Sequence, residues 1–298
     1  MADGNEELIQ VVGWPDQLRR PVLILGMEGW IDAGLGGGAA VATLLQEMTT
    51  EHFATFDSDA LIDQRARRPV LRVVNGINTG LTWPEITLRW GDNGGRSVII
   101  LSGPEPDIRW KQFTREVVSI SRRLGIELVV GLGAFPAPVP HTRPVSLVAT
   151  ATTQELADQV GYIPASIDVP AGIQASLERA FAEAGVPAVG IWARVPHYAA
   201  GMPYPNASES LLDKLTEITG IAVDTTSLHE SAVTALEQLD RLISGSVEHS
   251  AMVRQLEQQH DDESQSAGAF DLSDMTTLPS GEEIAAELER FLRGDEQG

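Results

Sequence analysis

The 298-residue sequence contains no cysteine and only two lysines, Lys111 and Lys214. The absence of cysteine excludes disulfide bonds, thiolate nucleophiles and cysteine-ligated zinc or iron–sulfur centres. Two lysines leave few positions for a Schiff-base lysine or for the phosphate-binding lysine of a P-loop. The sequence also lacks an 18-residue apolar run, and its first residues are acidic rather than a basic signal region. We therefore expect a globular cytoplasmic protein without a membrane-spanning segment.

Negative charge predominates, with a formal net charge of −21, and its distribution is uneven. Residues 1–205 carry 22 acidic and 16 basic residues, whereas residues 206–298 carry 20 acidic and only 5 basic residues. An acidic chain repels the phosphates of nucleic acids and anionic lipids, and no basic stripe interleaved with aromatic residues is present. These features predict no nucleic-acid partner and no membrane partner, and they indicate two regions with different roles.

The apolar pattern of residues 1–205 is typical of an α/β fold. Apolar runs at residues 21–27, 97–102, 127–134 and 188–193 predict strands that are buried on both faces of a parallel sheet. Amphipathic or small-residue segments predict helices at residues 34–48, 108–124, 153–160 and 172–184. Shorter strands are predicted at residues 52–56, 70–74, 86–90 and 146–150, with a turn in NGINTG between the second and third of them. This order predicts a three-layer α/β/α sandwich with a mostly parallel sheet.

After residue 205 the pattern becomes helical. Leucine and isoleucine spacing predicts a helical subdomain over residues 206–262, followed by a flexible acidic linker over residues 263–279. The last segment, residues 280–298, predicts a helix capped by Ser280, with a stripe formed by Ile284, Leu288, Phe291 and Leu292. The stripe must pack against another surface, either in the same chain or in another one.

Polar residues follow several of the predicted parallel strands, and loops at the carboxyl ends of such strands form the ligand crevice of open α/β sheets. Nine residues are therefore candidates for lining a site: Glu28, Asp32, Glu105, Asp107, Arg109, His141, Arg143, His197 and Tyr198. In an enzyme, Glu105 or Asp107 would act as base and a histidine as proton shuttle, while Arg109 and Arg143 would bind an anion.

Each candidate also has a structural interpretation. Asp32 and Asp107 stand where a carboxylate can cap a following helix, and a histidine held between prolines can bind the backbone instead of a substrate. Gly34, Gly36 and Ala39 match a relaxed dinucleotide fingerprint, but six residues separate them from the strand, so we interpret them as helix–sheet packing residues. The histidines lack metal-site spacing, and G-x-S-x-G, P-loop and HExxH motifs are absent. We expect no cofactor and no metal.

Several ordered motifs together resemble the actinobacterial branch of the proteasome assembly chaperone family, the group named after the second subunit of the eukaryotic chaperone. These motifs are GMEGWIDAG, LSGPEPDIRWKQF, GLGAFPAPVPHTRP, WARVPHYAAGMPYPNAS and LPSGEEIAAELERFLR. The resemblance implies a fold like that of nucleoside phosphorylases, a helical C-terminal subdomain and a homo-oligomer. The leading hypothesis is a non-enzymatic assembly factor or scaffold that binds a protein partner through its C-terminal helices. The alternative is a protein that binds a nucleoside-like or phosphate-like molecule, or a hydrolase-like or phosphorylase-like enzyme, using the loops at the strand ends.

Overall fold

The structure is a computed structural model that describes residues 7–265. Ten strands lie within this range: β1 (Ile9–Val11), β2 (Val22–Glu28), β3 (Glu51–Phe56), β4 (Val70–Val74), β5 (Ile77–Thr82), β6 (Ile86–Asn93), β7 (Arg96–Pro104), β8 (Leu128–Ala137), β9 (Leu147–Ala151) and β10 (Ala188–Pro196). The same range contains eight α-helices: α1 (Gly36–Glu47), α2 (Ser58–Leu61), α3 (Trp110–Leu124), α4 (Gln154–Val160), α5 (Ile173–Ala184), α6 (Pro205–Thr219), α7 (Thr226–Ser244) and α8 (Val247–Gln265). None of these helices is long and apolar enough to cross a membrane.

Eight of the strands form one sheet in the order β1-β3-β6-β7-β2-β8-β10-β9. The four central strands, β7, β2, β8 and β10, are parallel. They correspond to the four apolar runs in the sequence, so the predicted parallel core of the sheet is confirmed. The outer strands β1, β3, β6 and β9 pair in the antiparallel direction. The carboxyl ends of the four parallel strands lie along one edge of the sheet, which we call the rim.

Helices cover both faces of this sheet because successive side chains of a strand point to opposite sides. Val22 and Ile24 of β2 belong to one hydrophobic core, and Leu23 and Leu25 belong to the other. The first core is completed by apolar residues of α1, α6 and α7, and the second by residues of α3 and α5. The fold is therefore a mixed α/β arrangement of three layers, in which helices cover both faces of a sheet that is parallel in its centre.

The helices after residue 205 share the core of the sheet. Leu211 and Leu215 of α6, together with Leu239 of α7, are buried in the same cluster as the β-strands. Ser208 of α6 donates a hydrogen bond from its Oγ to the backbone oxygen of Gly36 over 2.8 Å. The division into separate units at residue 205 thus stays a prediction, and α6 forms part of the layer that covers the sheet.

Three local predictions differ from the structure. The region predicted as a turn between two strands contains a further strand, β5, because Asn75 and Gly76 alone make the turn, with φ of 51° and 80°. The third helix begins at Trp110 rather than at residue 108, since Arg109 has a left-handed backbone with φ of 59°. Helix α8 continues to Gln265, into the predicted linker. The rest of that linker and the predicted terminal helix lie outside the described residues.

Small residues allow α1 to lie very close to the sheet, as the sequence suggested. A Cβ atom at Gly37 would be 2.6 Å from the backbone oxygen of Leu132 in β8. One at Gly36 would be 2.8 Å from the Cβ of Ala134 and 3.0 Å from that of Ala207. Such distances are too short for any side chain, so these glycines are required for helix–sheet packing.

We expect Gly37→Ala to lower the free energy of unfolding by ~1–3 kcal/mol, because the backbone of β8 cannot move away from the added methyl group. Urea unfolding followed by circular dichroism measures this change. Gly38→Ala is the matched control, since the only atom within 4 Å of its Cβ would be a side-chain oxygen of Asp32 at 3.1 Å rather than backbone. Equal stability of the two variants would contradict the packing role assigned to Gly37.

Candidate functional site

The nine candidate residues lie on the segments that follow the central strands at the rim, but they do not line a single cavity. His141, Arg143 and Tyr198 face the C-terminal helices, whereas Glu105 and Asp107 bind backbone and side chains on the side of α2 and α5. The rim therefore carries two separate polar groups.

The first group is a hydrogen-bonded chain centred on His141, whose side chain is only 2% exposed. Tyr198 Oη accepts the backbone N–H of His141 over 2.9 Å and lies 2.8 Å from the Nδ1 atom of the same residue. The Nε2 atom lies 2.9 Å from Oδ1 of Asp240 in α7. Burial raises the pKa of Tyr198 to about 12, so its hydroxyl keeps its proton. Both ring nitrogens of His141 thus have a hydrogen-bond partner within the protein.

Arg143 extends this group to α8. Its Nε and Nη2 atoms donate to the two carboxylate oxygens of Asp261, each over 2.8 Å, in a bidentate arrangement. Its Nη1 atom is 3.3 Å from Oε1 of Glu257, which also accepts a hydrogen bond from the Thr142 hydroxyl over 2.5 Å. The hydrogen bonds with Asp261 raise the pKa of the Arg143 guanidinium further and lower the pKa of the Asp261 carboxyl. The His141–Arg143 segment therefore holds α7 and α8 against the rim.

The second group contains Glu105 and Asp107. One carboxylate oxygen of Glu105 accepts the backbone N–H of Ile173, at the start of α5, over 2.6 Å. Burial raises the pKa of Glu105, and the hydrogen bond from Ile173 opposes that shift. Asp107 accepts the backbone N–H of Asp63 over 2.7 Å and forms an ion pair with Arg67. Asp107 consequently joins the loop before α3 to the chain after α2 and caps no helix.

The remaining candidates have varied surroundings. Asp32 accepts the N–H groups of Gly37 and Gly38 over 2.8 and 2.9 Å, which is the helix-capping role considered for it. Burial raises the pKa of Asp32 despite these two bonds. The side chains of Glu28 and Arg109 are exposed, and the His197 ring contacts the Tyr198 ring edge to face at 5.3 Å. Within residues 7–265, no three His, Asp or Glu side chains are grouped as metal ligands would be.

A cavity of about 510 Å³ opens beside the first group. Its walls include His141, Arg143, Glu209, Asp240 and Asn206. The Oδ1 atom of Asn206 is buried and has no hydrogen-bond partner. The volume is that of a small-molecule site, although most of the charged groups around it are already paired with one another.

A buried polar group that the sequence analysis missed lies between α5 and the sheet. Glu178 is 7% exposed, and its carboxylate accepts a hydrogen bond from Oγ1 of Thr150 over 2.7 Å. Gly190 of β10 leaves space for this carboxylate, because a Cβ there would be 2.2 Å from Oε1 of Glu178. Gly131 pairs with Gly190 in the neighbouring strand and leaves space for Gln174 in the same way. The signal that would have found this group is a glycine in the middle of each of two apolar strands.

Comparison with known proteins identifies the family of this chain. The sequence profile of the PAC2 family matches residues 26–243, which span β2 to α7 and more than half of the chain. The chain belongs to the PAC2 family. The resemblance predicted from the motifs is thereby confirmed. A search of curated proteins found no match.

Three solved structures have a fold similar to that of this chain. The protein of unknown function Rv2714 from Mycobacterium tuberculosis is 32% identical, with 85% of this chain and 91% of that chain covered and a TM-score of 0.79. The proteasome-assembly chaperone homologue Rv2125 from the same organism is 33% identical, with 78% and 99% covered and a TM-score of 0.72. The archaeal proteasome activator PbaB from Pyrococcus furiosus is 19% identical, with 78% and 97% covered and a TM-score of 0.62, which shows a shared fold only.

We expect Arg143→Gln to loosen the end of α8, because glutamine replaces neither the bidentate pair with Asp261 nor the positive charge. Hydrogen exchange measured by mass spectrometry should become several-fold faster in the α8 peptide that contains Glu257. Arg254→Gln, at an exposed position of the same helix, is the control and should leave exchange unchanged. Equal protection in both variants would show that Arg143 does not hold α8.

Glu178 should make stability depend on pH. Burial raises the pKa of Glu178 from 4.5 to about 7. Between these two values the folded protein retains a proton that the unfolded chain releases, so the free energy of unfolding falls as pH rises through this window. Glu178→Gln removes this effect, and we expect the variant to be more stable than the original protein at pH 8 by ~1–3 kcal/mol.

Urea unfolding at pH 5 and pH 8 measures this difference. Glu183→Gln provides the control, because Glu183 lies on the same helix with its side chain 64% exposed. An identical pH dependence of the original protein and the Glu178→Gln variant would refute the assignment.

Proposed function

We propose that this PAC2 protein is a cytoplasmic, homo-oligomeric scaffold of the assembly-chaperone type, which binds a protein partner through its acidic C-terminal helices. The observation that supports the proposal is that polar side chains of the rim bind carboxylates of α7 and α8. His141 and Arg143, the residues best placed for chemistry, bind Asp240, Glu257 and Asp261 and so hold two helices in place. Their role is therefore to position a surface rather than to transform a substrate.

The surface in question is formed by α6, α7 and α8. Residues 205–262 contain 11 acidic and only three basic residues. Exposed carboxylates lie on all three helices and the turn between α6 and α7: Asp213, Glu217, Asp224, Glu230, Glu237, Asp240, Glu248 and Asp262. Because α6 is packed in the core and α8 is bound to Arg143, the helices that carry these charges are held in place. Such a surface suits a partner with a basic face.

The described relatives suggest the class of protein to which this partner belongs. Rv2125 is a proteasome-assembly chaperone homologue, and the chain covers 99% of its length at 33% identity. We therefore propose proteasome subunits, or another component of protein handling, as the partner. The nucleoside phosphorylase-like character of the fold stays a prediction, and we assign no reaction to it.

The test mixes the purified full-length protein with purified proteasome core subunits from the same organism and follows complexes by native mass spectrometry. We expect a complex with the original protein and loss of the complex in the double variant Glu230→Lys with Glu237→Lys, since both carboxylates are exposed on α7. Glu47→Lys, an exposed reversal at the end of α1, is the matched control and should retain binding.

A shortened chain that ends after Gln265, the last residue of α8, tests whether the partner binds the described helices or the residues that follow them. Retained binding would assign the partner to the described helices, and lost binding would assign it to residues 266–298. Absence of any complex with the full-length protein would overturn the proposal for proteasome subunits.

The cavity beside His141 supports a second candidate, the binding of a small polar molecule. The buried, unpartnered Oδ1 atom of Asn206 is the specific observation in its favour, because a ligand N–H or O–H group would satisfy it. A thermal-shift screen of nucleosides, phosphates and metabolites tests this candidate, since a ligand that binds only the folded state raises the melting temperature. A hit that is abolished by Asn206→Ala would support the candidate, whereas a screen without hits would count against it.

A further inference from the structure

A hairpin projects from the body of the protein within residues 64–84, which we call the arm. Its strands β4 and β5 form a two-stranded sheet of their own, separate from the eight-stranded sheet. Every residue of both strands is exposed. Positive φ angles at Asn75 and Gly76 make a tight turn of the type that suits a two-residue hairpin. Pairing with each other is thus the main interaction of β4 and β5 in the described part of the chain.

The exposed surface of the arm is strongly apolar. Val70 is 70% exposed and Ile77 is 66% exposed, and Leu71, Val73, Val74, Leu81 and Trp83 also face solvent. An isolated two-stranded hairpin is marginally stable in water and needs a third strand or a packed layer to cover it. Contiguous apolar patches on an otherwise polar surface mark interaction sites. The arm therefore has the features of a segment that is covered in an assembly.

The charge of the arm indicates what covers it. Residues 64–84 contain four arginines and no acidic residue, in a chain whose net charge is −21. The arm thus carries a charge opposite to that of the rest of the protein. A second copy of the chain offers the complementary negative surface, whereas nucleic acid would be repelled by the protein as a whole.

A suitable receiving surface lies on the rim. Trp30, Ile108 and Val169 are 58%, 52% and 63% exposed, and we call these three residues the rim patch. Trp30 follows β2 and Ile108 follows β7, so both lie at the ends of neighbouring parallel strands. The segment that carries Val169 continues to Gly172, where a Cβ would be 3.4 Å from Trp30. Acidic side chains at Glu28, Asp32 and Asp168 adjoin the patch in sequence.

We propose that the arm of one copy binds the rim patch of a second copy. Apolar residues of β4 and β5 would cover Trp30, Ile108 and Val169, while the exposed Arg68 and Arg72 of the arm would face the acidic residues that adjoin the patch in sequence. This inference rests on the homo-oligomeric part of the proposed function and adds the surface that produces the oligomer. Since each copy carries both an arm and a patch, the contact can close into a two-fold dimer or a ring.

The absence of cysteine in the sequence permits a direct test by cross-linking. Full-length Ile77→Cys and full-length Trp30→Cys, carrying different tags, are co-expressed and treated with a short bismaleimide. A covalent heterodimer is expected, because the two thiols would face each other only across the proposed interface. Replacing Trp30→Cys by Val247→Cys gives the control, since Val247 is apolar and 85% exposed on α8 and belongs to neither the arm nor the rim patch. That pair should remain uncross-linked.

Light scattering of the full-length protein provides the second measurement. The original protein should have the mass of two or more copies, and Trp30→Asp as well as Leu71→Asp with Ile77→Asp should have the mass of one. Val247→Asp should leave the mass unchanged. Mixing the rim variant with the arm variant should restore a two-copy species, because one intact arm then meets one intact patch.

These measurements distinguish failure of the proposed arm–patch contact from failure of the proposed homo-oligomer. A single-copy mass for the original protein would overturn both this inference and the homo-oligomeric part of the proposed function. An oligomeric original protein whose mass is unaffected by the arm and rim variants, with no Ile77–Trp30 cross-link, would overturn only the inference. Cross-linking of Ile77→Cys to itself, without reaction with Trp30→Cys, would also overturn it, because the arm would then pair with another arm.

Discussion

Burial of four parallel strands on both faces is the constraint on which the rest of this structure depends. Val22, Leu23, Ile24 and Leu25 are each no more than 2% exposed, and alternate residues of this run enter opposite cores. No charged residue occurs in this run, where it would be desolvated without compensation. Polar residues collect instead at the rim, where the chain leaves the sheet. Both polar groups of the rim follow from this arrangement.

The same constraint explains how much of the fold could be predicted from the sequence. A strand buried on both faces is an unbroken apolar run, so β2, β7, β8 and β10 could be recognised directly. The hairpin was harder, because β5 contains Asn78, Thr79 and Gly80, which are typical of turns. An exposed strand has no buried face to impose an alternating pattern. The proposed contact between two copies would account for its apolar residues, which its own fold leaves exposed.

The candidate site was predictable in its residues but not in its contacts. Asp32 caps the adjacent helix, five and six residues along the chain, and such local interactions can be inferred from spacing. His141 binds Asp240, 99 residues away, and Arg143 binds Asp261, 118 residues away. No sequence pattern links partners at these distances, since the packing of α7 and α8 decides them. The buried carboxyl of Glu178 was hidden for the same reason, because two strand glycines create its space.

The attachment of the arm has a mechanical consequence. The backbone oxygen of Leu61, just before the arm, accepts the N–H groups of Asp107 and Ile108 over 2.8 and 3.3 Å, and Arg67 pairs with Asp107. The loop held in this way also contains Glu105, which binds the first residue of α5. The base of the hairpin and the first turn of α5 are therefore joined through one short hydrogen-bonded loop. A contact made at the hairpin would act on a segment that is only this loop away from α5.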